Sequence, residues 1–233
     1  MTDPNPRHRL WEFRSAALFT PTTIALGWML LALAVVRVAL LGFARTDLIA
    51  ILLFLAAYPF AEWTAHRFVL HSGEFDMFGS RRQLGISRNH LQHHLNPSDM
   101  SKVASETGRN LVVAIFGAAL PFLVIFRALR PTLTGAALVV VGLLAYELTH
   151  GLIHCGYAGR SGWYRRVRRL HLLHHFRNED RWFGVASTFA DTVLRTNPAP
   201  ASVPISRVAE SASPTAAATA TETATGESAT PEA

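Results

Sequence analysis

The stretch "YRRVRRLHLLHHF", Tyr164–Phe176, packs four arginines and three histidines into one short segment. Read as a helix, it carries His171, His174 and His175 on one face, because residues three and four apart lie together. The same H-x-x-H-H spacing occurs once more, in "HLQHH", as His90, His93 and His94. A histidine pair precedes each triplet: "HRFVLH" holds His66 and His71, and "HGLIH" holds His150 and His154. The chain has 11 histidines. Only His8 stands outside these clusters, and it reads as a solvated terminal residue.

Working outward, the clusters sit between apolar runs. The 233 residues are 50% hydrophobic, with net charge +6 and mean hydropathy +0.22. This points to a small integral membrane protein with a basic face rather than a soluble domain. Ile24–Phe43 is long enough to span a bilayer as a helix. Arg37 interrupts it, and the reading favours a side chain that snorkels to the interface. A second run covers Leu48–Ala65 with Pro59 inside it, a third covers Leu111–Phe126, and a fourth covers Leu133–Leu148. The last two are short for full spans. The expected fold is all-α, with about four transmembrane helices in two hairpins and a cytoplasmic helical cap holding the histidines. Residues 1–21 read as a basic cytoplasmic segment and 22–196 as the membrane domain. Residues 197–233, rich in Ala, Thr, Ser, Pro and Glu, read as a disordered tail.

The cations orient this arrangement. Arg7, Arg9 and Arg14 precede the first run, and clusters lie at Arg67–Arg109 and Arg160–Arg195, whereas the short linkers carry only Arg45, Arg127 and Arg130. The positive-inside rule puts both termini and both long polar segments in the cytoplasm. All four histidine clusters then fall on one side of the membrane. Arg165, Arg166, Arg168 and Arg169 read as anchors to an anionic lipid surface. Together with Arg81 and Arg82 they also suit a lipid headgroup or an acidic electron carrier. The basic clusters, separated by apolar runs, suggest no nucleic-acid partner. Cys155 is the only cysteine, which rules out an internal disulfide.

Neutral imidazole is a strong ligand for transition metals. An isolated H-x-x-H is weak evidence of a site, but four patterned clusters on one membrane face are not. Ten histidines exceed the needs of one metal and suit two, each with about four or five nitrogen ligands. Structural zinc normally takes four ligands, often including cysteine, so a redox metal pair is the better reading. The spacing of His66 and His71 is awkward, since five residues is about 140° around an ideal helix. It requires a local distortion, a helix end or two separate metals. Glu62 and Glu147 read as residues that hydrogen-bond a ligand's other nitrogen or pair with an arginine. Trp182 and Phe183 read as interfacial anchors or as lining for an apolar substrate path.

This order of motifs resembles the fatty acid hydroxylase superfamily, which also takes in sterol desaturases and carotenoid hydroxylases. The resemblance runs from about Tyr58 to Thr196 and is closest to the fatty acid 2-hydroxylase branch. "AEWTAHRFVLH", "HLQHHLNPSDM", "YELTHGLIH" and "HLLHHFRNEDRWFGVASTFADTVLRT" carry it. One departure is Ala190, where an aromatic residue often precedes the aspartate. The resemblance implies a di-metal centre, with iron as the metal and zinc as a replacement ion in isolated protein. Its ligands would be His66, His71, His90, His93, His94, His150, His154, His171, His174 and His175. It also implies O2 as cosubstrate, a membrane lipid substrate, and two electrons from a separate ferredoxin- or cytochrome-type partner and its reductase. The same chemistry on a sterol or carotenoid, or desaturation in place of hydroxylation, is the nearest alternative. Metal transport or storage is a more distant one, because only Arg37 interrupts an apolar run.

Overall fold

Long apolar runs need helices, because a bilayer offers their backbone groups no hydrogen-bond partner. The computed structural model describes residues 20–39, 42–103 and 109–212, without the side chains of 109–115, 117 and 118, and those residues are mostly helical. They fall into two compact units.

The first unit contains α1 (Pro21–Ala39), most of α2 (Arg45–Thr64), and, later in the chain, α5 (Arg109–Phe126) and α6 (Leu129–His154). Thr20 starts α1: its hydroxyl accepts from the Thr23 backbone N–H at 3.1 Å, and Pro21 takes the first position, where no N–H is needed. Asp47 starts α2 by accepting from the Ala44 N–H at 2.8 Å. Among the described residues, three helices are long and apolar enough to cross a membrane: Pro21–Ala39, Arg45–Leu70 and Leu129–His154. α5, formed by the third run, has 18 residues, and the side chains of much of its first half lie outside the described residues. The fourth run was expected to be short, but α6 has 26 residues. Its helix starts before the run and continues past it through both histidines of "HGLIH".

Packing within this unit depends on small residues. Gly142 on α6 lets the Tyr58 ring lie against the helix backbone; a Cβ there would meet Tyr58 Cε2 at 2.5 Å. The Tyr58 hydroxyl donates to the Gly142 carbonyl at 2.8 Å. This is how helices pack closely in a membrane. Leu26 and Val140, both fully buried, join α1 to α6. The remaining faces expose large apolar side chains, including Trp28, Val38, Leu55 and Val124, as lipid contact requires.

Arg37 does not snorkel. It forms a 2.8 Å salt bridge with the fully buried Asp47 and donates to Thr134 Oγ1 at 3.1 Å, while Thr134 donates to Asp47 at 2.7 Å. The short linker between α1 and α2 brings the carboxylate within reach, so the cation is neutralised inside the unit.

The second unit runs from Glu62 to Val103 and resumes at Gly156. It holds a π-helix (Ala65–Leu70) continuing α2, a hairpin of β1 (Phe75–Met77) and β2 (Ser80–Arg82), α3 (Gly85–Leu95), α4 (Met100–Val103), α7 (Gly162–Phe176), α8 (Phe189–Val193), a 3-10 turn (Pro200–Ser202) and α9 (Arg207–Ser211). The Ser161 hydroxyl caps α7 by accepting from the Tyr164 N–H at 3.1 Å. Val167, His171, His174 and His175 make the buried face of α7, and Arg165, Arg166 and Arg169 are exposed. Residues 197–212, placed in the tail by composition, are ordered onto this unit. The Ser206 N–H donates to the Arg177 carbonyl at 2.9 Å, Arg177 Nε donates to the Val203 carbonyl at 2.7 Å, and Val203, Ala209 and Ala212 are buried. A few small apolar residues suffice because α9 packs on both α3 and α7. The basic segment 1–19 and the tail residues 213–233 lie outside the described residues.

Removing one member of a buried ion pair strands the other charge. Asp47→Ala should therefore lower the unfolding free energy in detergent by about 3 kcal/mol. The double variant Arg37→Ala/Asp47→Ala should recover part of that loss. Equal stability of Asp47→Ala and the unmodified chain in a thermal melt contradicts the pairing.

Candidate metal centre

The awkward histidine pair is resolved by the helix itself. The His71 N–H bonds the His66 carbonyl five residues back, at 3.1 Å, closing a π-turn. The extra residue in the turn brings positions five apart onto one face. The two imidazoles lie with ring centroids 5.1 Å apart. The distortion anticipated from the spacing is thus a π-bulge at the end of an apolar helix.

Five histidines converge there: His66, His71, His90, His94 and His174, with ligand nitrogens all within 4.8 Å of one another. His90 Nε2 is 3.1 Å from each of the Nε2 atoms of His66, His71 and His94, and His71 Nε2 is 3.1 Å from that of His174. Metal–imidazole bonds are about 2.1 Å long, which puts ligands at right angles about 3.0 Å apart. The observed separations match that figure.

Two of the five have their tautomer fixed. His66 Nδ1–H donates to the Phe183 carbonyl, and His174 Nδ1–H donates to the Arg181 carbonyl at 2.7 Å. A neutral imidazole has one N–H. With that proton on Nδ1, the Nε2 lone pair points into the cluster. Buried lone pairs facing each other repel unless a cation lies among them, so the donor set fits a metal ion.

The two triplets share their histidines between two sets. α3 sends His90 and His94, one turn apart, into the first set, while His93 turns away. α7 sends only His174 there. His171 and His175 lie together, with Nε2 atoms 3.1 Å apart, and the His93 ring is 4.7 Å from that of His175. The sets touch where the His94 and His175 rings stack at 4.1 Å and 19°. His66, His93, His94, His171, His174 and His175 are almost completely buried. In the first unit, His150 and His154 lie one turn apart on α6 with ring centroids 4.7 Å apart, and Glu147, also buried, lies a turn before His150.

A loop at residues 181–186 supports the first set. The Glu62 carboxylate accepts from the N–H groups of Val185 at 2.6 Å and Ala186 at 2.7 Å. Glu62 thus acts on the loop that supplies the Phe183 carbonyl. Asp191 accepts from the Phe183 N–H at 3.0 Å, the Gly184 N–H at 2.7 Å and the Thr196 hydroxyl at 2.5 Å. Trp63 Nε1 donates to Thr196 at 2.9 Å. Gly184 is required by this closeness, since a Cβ would fall 2.0 Å from the Ser187 carbonyl oxygen. Trp182 and Phe183 are not interfacial anchors. Both are buried, and the Phe183 ring packs against His66, His71 and His174 at 5.7–6.1 Å. The carbonyl acceptors of Arg181 and Phe183 carry no side-chain signature, which hid them from the sequence reading.

Burial holds these imidazoles neutral. His71 is pushed down to about 2, first by desolvation and then by repulsion from His66. His90, His94 and His174 are held well below 6.5, first by desolvation and then by charge on neighbouring histidines.

Comparison with known proteins covers the same region. The family model described as fatty acid hydroxylase matches residues 51–196, which include all ten clustered histidines. A dihydroceramide fatty acyl 2-hydroxylase of Arabidopsis thaliana is 28% identical over 144 residues, covering 60% of this chain and 57% of that protein. A fatty acid 2-hydroxylase of Mus musculus is 27% identical, covering 60% and 37%. The chain thus spans little more than half of these relatives, or less. The solved structure of full-length Scs7p, with only its hydroxylase domain visible, aligns with TM-score 0.50 at 20% identity, covering 85% of this chain and 65% of that one. That likeness is one of fold.

The depressed histidines make the metal-free protein acid-sensitive. Above pH 6.5 they are neutral in both folded and unfolded chains. Below it only the unfolded chain takes up protons, so stability is lost as pH falls. Each such histidine costs about 1.4 kcal/mol per pH unit below 6.5. Metal-free protein should therefore melt at a steadily lower temperature from pH 7 to pH 5, whereas a flat profile contradicts a buried neutral cluster.

Proposed function

The chain belongs to the fatty acid hydroxylase family, and we propose on that premise that it is a membrane-bound, O2-dependent di-iron oxidoreductase that hydroxylates a fatty acyl chain at C2. The observation that carries this reading is the convergence of five imidazole nitrogens in a buried cluster. The acyl substrate and the position follow the fatty acyl 2-hydroxylases among its relatives.

In this reading His66, His71, His90, His94 and His174 hold one metal. His93, His171 and His175 hold the other, and His150 and His154 are assigned as ligands on their motif in the sequence alone. Iron bound by this all-nitrogen set would supply O2 activation and C–H cleavage. The chain's own contribution is to hold and orient. The carbonyls of Phe183 and Arg181 keep protons on Nδ1 of His66 and His174, so Nε2 remains a lone-pair donor. Glu62 and Asp191 fix the loop bearing those carbonyls. Phe183 covers three of the rings with apolar surface and excludes water.

The membrane-capable helices suit a substrate dissolved in the bilayer. α5 makes the fourth crossing, which completes two hairpins. The positive-inside bias then sets both termini and the histidines on the cytoplasmic side. There a separate ferredoxin- or cytochrome-type protein delivers two electrons.

Lipid mass spectrometry on cells expressing the chain tests this. We expect 2-hydroxylated acyl chains that disappear with His174→Ala at equal protein level. A changed sterol or carotenoid pool keeps the chemistry and replaces the substrate. Hydroxylated lipids that persist with His174→Ala contradict the site.

A further inference from the structure

The β1–β2 hairpin plays no part in the metal centre, yet its chemistry is sharply divided. The pairing is Phe75 with Arg82, Asp76 with Arg81, and Met77 with Ser80. Side chains alternate along a strand, and cross-strand partners share a face. One face therefore carries Phe75, Met77 and Arg82, and the other carries Asp76 and Arg81. Arg81 also forms a 3.4 Å ion pair with Glu74, whereas Arg82 makes none among the described residues. Every strand residue is exposed.

The tip adds a second anomaly. Phe78 and Gly79 both have positive φ, 53° and 75°, as a two-residue type I′ turn requires. The first position of such a turn favours Asn, Asp or Gly; a bulky aromatic there is an outlier. Phe78 is 99% exposed. Neither backbone preference nor packing within the chain accounts for an aromatic residue at this point.

The hairpin starts five residues after Leu70, the last residue of the membrane-capable segment Arg45–Leu70. Five residues reach at most about 18 Å, so the hairpin stays near that end of the segment. Phe68 and Val69, in the last turn, are also exposed. An exposed apolar face close in sequence to a membrane-capable segment, bearing Arg82 with no ion-pair partner among the described residues, matches an anionic bilayer surface in both hydrophobicity and charge.

We propose that the β1–β2 hairpin is a monotopic membrane anchor: Phe75, Met77 and Phe78 enter the headgroup–acyl boundary, and Arg82 binds an anionic lipid headgroup. Asp76, Arg81 and Glu74 face water. The hairpin thereby tethers the segment between His71 and α3, which leads into the His90 cluster. This inference does not depend on the oxygenase reading.

Spin-label accessibility in nanodiscs tests it on the full chain. In a Cys155→Ser background, a nitroxide is attached at Met77→Cys on the apolar face or at Asp76→Cys on the polar face. In phosphatidylcholine–phosphatidylglycerol discs, the label at 77 should be open to oxygen and several-fold shielded from an aqueous nickel chelate, with the reverse at 76. Phe78→Asn, which suits the turn better, should keep the hairpin folded and raise nickel access at 77. Removing the anionic lipid should do the same. Equal nickel access at 76 and 77 overturns the proposal. Shielding that develops only when soluble protein is added also overturns it, and assigns the face to a protein partner.

Discussion

The structure depends on holding neutral imidazole lone pairs against one another in a buried space. Five Nε2 atoms in one cluster gain nothing from mutual proximity, and burial removes their water. The surrounding fold supplies what keeps them there. A π-turn at the end of α2 aims His66 and His71 together, and α3 and α7 aim His90, His94 and His174 at them. Carbonyls fix two of the protons, and the carboxylates of Glu62 and Asp191 hold the loop that carries those carbonyls. The hydrogen-bonded layer behind the imidazoles is therefore as much a part of the cluster as the imidazoles.

The H-x-x-H-H pattern acquires a physical meaning here. Adjacent residues on a helix point about 100° apart. The last two histidines of each triplet therefore diverge: His93 from His94, and His174 from His175. Each triplet serves both sets, with α3 giving two residues to the first and α7 giving two to the second. The stacked rings of His94 and His175 mark where the sets meet. An i, i+4 pair alone would serve a single set.

Much of this was legible in the sequence, and the limits have physical causes. Histidine spacing pointed to the residues that cluster because helical periodicity follows from chain geometry, and the five-residue gap between His66 and His71 required a distortion, a helix end or two separate metals, of which the structure shows the distortion. Glu62 was recognised as a supporting residue, but its action through the N–H groups of Val185 and Ala186 was not, because backbone donors leave no trace in residue identity. Arg37 was misread for want of a partner. Asp47 lies in the next helix, and only the tertiary structure pairs them. Composition ended the folded domain at Thr196, although Val203 and Ala209 pack on through α9. The hairpin went unread because three-residue strands are too short for periodicity to register.

Two histidine sets that each hold a metal ion give two ions per chain. The most direct measurement is metal content by mass spectrometry after anaerobic loading with ferrous iron and removal of excess. Two irons per chain are expected in the unmodified protein and about one in His90→Ala, whose loss falls on the first set alone. Stoichiometry at or below one in the unmodified chain, or two retained after His90→Ala, would contradict it.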